Sequence, residues 1–395
     1  MTGDERPRLL TARFVLVVAS GLAYFTALGI LLPAIPLFVK KSLGGSDLGV
    51  GIAVGAFAVG SVVLRPWAGF VGDRRGRRIL IIGGATVVAV SNALYHAAGG
   101  LPSLVAVRLL GGIGEAAFFV GAGTMVADLA PEERRGEAIS YWSIAVYGGL
   151  AIGPFLGESL ADGGHYGNAW TVAAALSATA AVLGCFTSET APPHVPRDVG
   201  AKRPPLLHRA ALLPGSVLFL GMIGLAGYTS FVALYARNVG MANSKPALLI
   251  YAAVVLVVRI VGSRVPDSIG PVRAGTIAMS TSAAGLIIIA VFHSTAGLLG
   301  GTVVFALGMS LLYPAMIMFA LLDIPSSERG SAMGTVSTFF DLSQGVGAAV
   351  LGGVASVSSY RGAFVAAAMF ALAGLVTLRW SARSERSPAV ETASV

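Results

Sequence analysis

Apolar stretches of about 20 residues or more, long enough for a helix to cross the hydrocarbon of a bilayer, recur along the whole of this 395-residue chain. Twelve can be placed, near 13–38, 47–71, 79–98, 102–127, 137–160, 166–187, 212–236, 246–265, 273–293, 296–321, 331–356 and 362–381. With 55% of residues apolar and only 12% charged, the chain carries too much hydrophobic surface for a soluble domain. The sequence therefore predicts an all-α polytopic membrane protein of twelve transmembrane helices. The first stretch lacks a small-residue cleavage site and is followed by further spans, so it reads as a retained helix, ending at Pro33 and Pro36. Cys185 is the single cysteine and lies in an apolar run, which implies neither an intrachain disulfide nor thiol chemistry.

The charges are placed by topology. Of the 27 Lys and Arg residues, 19 fall at the termini and after even-numbered spans, five fall after odd-numbered spans, and Arg65, Arg108 and Arg259 lie within spans. Positive charge marks the cytosolic face, so both termini are expected in the cytosol, with the spans in the plasma or inner membrane. The net charge of +8 then reports orientation and does not imply a nucleic-acid partner. Between Thr187 and Arg209 the pattern turns proline-rich and polar, ETAPPHVPRDVGAKRPP, which predicts a cytosolic linker at 188–211 joining six-helix halves at 1–187 and 212–395. The halves repeat at an offset of 194: Arg65 matches Arg259, Asp73 matches Asp267, Gly76 matches Gly270, Gly114 matches Gly308, Arg135 matches Arg329 and Gly153 matches Gly347. Duplicated halves suit alternating access to a site at the membrane midplane.

The turn between spans two and three reads GFVGDRRGRR, Gly69 to Arg78. Its glycines let two helix ends meet and its arginines hold the turn out of hydrocarbon. This Gly-x-x-x-Asp-Arg-x-Gly-Arg-Arg pattern resembles the loop between the second and third helices of the major facilitator superfamily of secondary transporters. The resemblance implies the two-bundle major facilitator fold and a cytosolic gate built from Gly69, Asp73, Arg74, Gly76, Arg77 and Arg78 with Asp128 and Asp267. In that arrangement Asp73 meets the positive N-terminus of span eleven, near Ser331 to Thr335, and Arg77 pairs with Asp128 at the inner end of span four. The blander alternative is a set of solvated charges that only orient the chain.

Span four carries Arg108, Gly112, Gly114 and Glu115 in the run RLLGGIGEAA, similar to a second signature of that superfamily. Arg108 and Glu115 are seven residues apart and point the same way from a helix, sharing a face without necessarily touching, and Arg108 is expected to join the proton coupling by favouring release of the proton. A charged acid at mid-membrane costs about 2.5–3.5 kcal/mol, so Glu115 is poised to gain and lose a proton as its surroundings turn dry or wet. Asp341, deep in span eleven, is the other candidate, and the alternative for both acids is a helix-packing hydrogen bond. Arg65 and Arg259 are expected to snorkel to the cytosolic interface.

Span five holds Gly149, Gly153, Pro154 and Gly157 in the run GLAIGPFLG. This resembles the signature of drug/proton antiporters within the superfamily and implies export. Glycine every fourth residue also suits any close helix pair. A binding surface is expected from Tyr24 and Phe25, Phe118 and Phe119, Tyr228 and Tyr235, and Phe305, Met309, Tyr313 and Met316, together with Glu115 and Asp341. Such an aromatic and methionine-rich lining suits lipophilic or amphipathic compounds, although about half of these side chains are expected in ordinary packing. Span one holds no acid, whereas several multidrug members carry one there.

The sequence reading is a monomeric proton-coupled exporter of hydrophobic or amphipathic molecules, with the proton as coupling ion and no cofactor or metal. The rival on the same fold is an importer or facilitator of a metabolite. An enzyme or receptor is disfavoured, since the chain has no Gly-x-x-x-x-Gly-Lys-Ser/Thr loop and its five histidines are scattered.

Overall fold

The computed structural model describes residues 9–131, 134–190, 208–261, 268–322 and 329–384. Within them lie twelve long helices, in chain order α1 (Ala12–Lys41), α2 (Asp47–Arg75), α3 (Arg77–Leu94), α4 (Leu101–Leu129), α5 (Arg135–Leu160), α6 (Tyr166–Cys185), α7 (Leu212–Asn238), α8 (Lys245–Val261), α9 (Pro271–Val291), α10 (Thr295–Ala320), α11 (Arg329–Val357) and α12 (Tyr360–Ser384). Ten stretches in these helices are long and apolar enough to cross a membrane. No strand occurs among the described residues, as expected where the backbone must bond within each segment because hydrocarbon offers no partner.

Helix α1 does not stop at its prolines. It continues through Pro33 and Pro36 to Lys41, after starting at Thr11, whose side chain accepts from the Phe14 amide at 3.3 Å. Pro154 and Pro314 are likewise carried inside α5 and α10.

The chain divides into two compact units, one formed by Met1–Gly45 and Ala56–Val199 and the other by Ser46–Gly55 and Gly200–Val395. The boundary near residue 200 falls within the proline-rich stretch, most of which lies outside the described residues. The first turns of α2 group with the second unit, where Gly51 and Gly55 lie against the backbone of Ala348 and Gly345 in α11.

The two units repeat the same helix pairs. In the first, α1 packs on α5 and α6, and α3 packs on α4 and α6. In the second, α7 packs on α11 and α12, and α9 packs on α10 and α12. The repeat holds at single residues. Gly114 of α4 presses on Gly84 of α3, and Gly308 of α10 presses on Ala278 of α9, the same pair 194 positions on. Gly153 meets Gly29 as Gly347 meets Ile223, again at that offset. At each of these contacts a Cβ on the glycine would sit within 3.1 Å of its neighbour, so backbone approach itself sets the residue type.

Candidate functional site

Glu115 lies at the middle of α4, and its side chain is only 10% exposed. It is held from α2. Ser61 Oγ donates to Glu115 Oε2, and Arg65 Nη2 donates to Oε1 at 3.3 Å and to Oε2 at 3.4 Å. Ser61 and Arg65 are four residues apart, so one face of α2 presents a hydroxyl and a guanidinium to the same carboxylate. Close helix approach makes this reach possible: Gly60 and Gly112 bring the α2 and α4 backbones together, with no room for a Cβ at either.

Aromatic rings surround the pair. The Arg65 guanidinium carbon lies 4.9 Å from the Phe119 ring centroid. Tyr24 of α1 stacks on Phe118 at 3.8 Å, and Phe25 meets Tyr24, Phe119 and Trp142 edge-on. The Tyr24 hydroxyl is buried with no hydrogen-bond partner, close enough to Glu115 and Arg65 to feel both charges. Phe118 and Tyr24 are fully buried, while Phe119 is partly open.

One expectation is corrected here. Arg65 is not drawn out to the interface; its side chain is 15% exposed and its charge is engaged by Glu115. Arg108, on the same helix as Glu115, lays its guanidinium 4.6 Å from the Phe57 ring centroid, so the cation beside the acid comes from α2 and not from α4. Ser61 and Trp142 were not legible as site residues. A serine four positions before an intramembrane arginine is the signal that could have pointed to Ser61.

In the second unit, Asp341 is buried on α11, and nearby Gln344 donates toward Met222 O at 3.5 Å. Most of the expected lining there is committed to packing. The Tyr228 hydroxyl bonds Thr302 at 3.1 Å and the Ala247 carbonyl at 3.3 Å, and its ring stacks on Tyr251 and lies beside Phe305. Tyr235 donates to the Ile289 carbonyl at 2.8 Å. Met309 accepts from Ser282 of α9, and Met316 reaches Gly275 of the same helix. Phe305, Met309 and Met316 thus face α9 or the α7–α8 pair, because the glycines Gly275 and Gly285 leave hollows that long side chains fill. Tyr313 differs: it is half-buried and meets Phe340, next to Asp341, edge-on at 5.7 Å.

At the turn after α2, Gly76 adopts φ 101°, a left-handed conformation that favours glycine, and Gly270 repeats it with φ 80° before α9. Arg77 Nε lies 3.3 Å from Asp128 Oδ2, and Arg77 Nη1 donates to Gly72 O at 2.8 Å. Arg78 donates to the Cys185 carbonyl at 2.5 Å, and Arg74 is exposed. The side chains of Asp73 and Ser331 and all of Asp267, on which the expected latch rests, lie outside the described residues. Glu189 and Thr190, expected to belong to a free linker, bind the turn instead. Glu189 accepts from the amides of Arg77 at 2.8 Å and Arg78 at 3.2 Å, capping α3, while Thr190 donates to Asp128 at 2.9 Å. In α5, Gly149, Gly153 and Gly157 meet Phe25 and Thr26, Gly29, and Ile30 of α1, with Pro154 beside Gly29.

The profile of the Major Facilitator Superfamily matches residues 17–343 and 247–394. The chain belongs to this superfamily. An uncharacterized MFS-type transporter of Salmonella typhimurium is 31% identical over 378 residues, covering 91% of this chain and 94% of the relative. Among solved structures, a bacterial homolog of the human lysosomal transporter Spinster aligns with a TM-score of 0.78 at 16% identity, over 97% of this chain and 98% of that one. The human organic anion transporter MFSD10 aligns with a TM-score of 0.73 at 20% identity, over 94% of this chain and 100% of that one. At these identities the solved structures show the fold alone. The chain is a multi-pass membrane transporter and not an enzyme.

Proposed function

We propose that this major facilitator is a proton-coupled exporter, working as a monomer in the plasma or inner membrane with both termini in the cytosol. It exchanges hydrophobic or amphipathic small molecules for external protons by alternating access. The observation that carries this reading is Glu115, a buried carboxylate held by Ser61 and Arg65 against an aromatic cluster. A group in that setting changes protonation when water reaches it, and the rings around it suit an apolar cargo. Asp341 is the second candidate carrier. Proton entry contributes about 2.3 kcal/mol per 100 mV of membrane potential. The Arg77–Asp128 pair supports a cytosolic gate, and the close α1–α5 approach at Gly149, Gly153 and Gly157 supports the antiporter resemblance.

Reconstitution in proteoliposomes tests it. With an imposed proton gradient, a lipophilic substrate should accumulate against its gradient in wild type, while Glu115→Gln should retain counterflow but lose the gradient-driven component. Gradient-driven accumulation that survives both Glu115→Gln and Asp341→Asn would sink the coupling.

One observation favours a second reading, uptake of cargo together with the proton. The partner of Glu115 is a permanent cation in its own bundle. A proton on Glu115 releases that cation, so a cargo with a negative group would bind alongside the proton and cross with it. The fold shared with an organic anion transporter agrees in kind. Reversing the imposed gradient separates the two readings: exchange drives cargo toward the acidic side, against the proton, whereas co-transport drives it away from the acidic side with the proton.

A further inference from the structure

We infer that Arg65 is the anchor for the head group of an organic anion, a carboxylate or sulfonate on an apolar body, and that protonation of Glu115 makes this anchor available. The inference rests on the second reading above, with Glu115 as the proton carrier. Its geometry lies within the first unit. Arg65 Nη2 reaches both oxygens of Glu115, at 3.3 and 3.4 Å, so the carboxylate occupies the position an incoming anion would take. Beside it, the buried Tyr24 hydroxyl has no hydrogen-bond partner, and it lies near both charges. A buried hydroxyl without a partner costs about 1–3 kcal/mol, which a bound oxyanion accepting its hydrogen bond would recover. Phe119, partly open and under the guanidinium, supplies an apolar wall for the body of the ligand.

The sign of the linkage follows from these neighbours. Arg65 from α2 and Tyr24 from α1 are the charged and titratable groups facing Glu115. Arg108 on α4 is turned to Phe57, and no charged group of α3 or α5 contacts the acid among the described residues. When Glu115 takes up a proton from water, its claim on Arg65 falls and an anion can replace it. By reciprocity, an anion on Arg65 favours the proton on Glu115. Cargo and proton therefore bind together.

Purified full-length protein tests this with naphthalenesulfonate, which stays anionic at both pH values used, against naphthalenesulfonamide and naphthylmethylammonium. Wild type should bind the sulfonate about tenfold tighter at about pH 5.5 than at about pH 7.5, with neither comparison compound showing the effect. Glu115→Gln, which mimics the protonated acid, should bind it equally at both pH values and as tightly as wild type does in acid. Arg65→Gln should lose the binding; should that variant fail to fold, Arg65→Lys should weaken it while keeping the pH dependence. Preference for the ammonium compound, tighter sulfonate binding at the higher pH, or loss of binding in Glu115→Gln would overturn the proposal. Proton uptake on binding, followed by an indicator in weak buffer, separates the two layers. Uptake that persists in Glu115→Gln refutes Glu115 as carrier, whereas sulfonate binding that ignores Arg65 refutes the anchor.

Discussion

Glu115, Ser61 and Arg65 form a small polar set inside an apolar unit, and the energetics of such a set are asymmetric. Removing one partner of a buried ion pair leaves the other charge uncompensated, at about 3–5 kcal/mol; alanine at 115 also takes away the acceptor that Ser61 and Arg65 donate to, whereas glutamine keeps a carbonyl there. Glu115→Ala should therefore lower the thermal stability of the purified protein far more than Glu115→Gln, measured by unfolding in the same detergent. Equal losses would mean that Arg65 finds another charge to meet. Tyr24 gives a prediction of opposite sign. Its hydroxyl is buried without a partner, so Tyr24→Phe should leave the unliganded protein as stable or raise its melting temperature, since a buried polar group without a hydrogen bond is costly.

At the scale of helices, the turn before α3 combines a backbone requirement with a cap. Gly76 at φ 101° also lies against the Glu189 carboxylate, where a Cβ would collide. Gly76→Ala should cost stability through both causes, by about 1–3 kcal/mol from the backbone conformation. Glu189→Gln should cost about 0.5–2 kcal/mol as a weakened cap, readable as faster hydrogen exchange at the Arg77 and Arg78 amides. Unchanged exchange there would show that Glu189 does not hold the turn. The glycine pairs of α1 with α5 and of α7 with α11 can be tested in parallel. Gly153→Val forces Gly29 away, while Gly347→Val has only Ile223 and Ala226 side chains and backbone at slightly longer range to displace, so the first should destabilise more.

For the whole molecule, orientation is the open physical prediction. Cys185, the single cysteine, ends α6 at an exposed position beside the arginine-rich turn. A membrane-impermeant maleimide should label it in inside-out vesicles and spare it in intact cells. The reverse pattern would place the termini outside and invalidate the charge count as a guide to orientation.

Helix number, the twofold repeat and the turn at Gly76 were legible because each follows from local chemistry. Hydrocarbon forces every backbone bond into its own segment, a duplicated chain repeats its small residues at one offset, and glycine alone is at ease where φ is positive. Glu115 was legible for the same reason, as an acid in an apolar run. Its partner was not. Arg65 is 50 residues away in the chain, and only the approach of α2 to α4 at Gly60 and Gly112 makes it, rather than Arg108 on the acid's own helix, the cation that Glu115 meets. Which of the expected lining residues pack instead against neighbouring helices, as Tyr228, Phe305, Met309 and Met316 do, was not legible either, because helical spacing puts residues on one face without saying which neighbour covers it. Composition and spacing decided what could cross the membrane; packing between helices decided which charges and rings came together inside it.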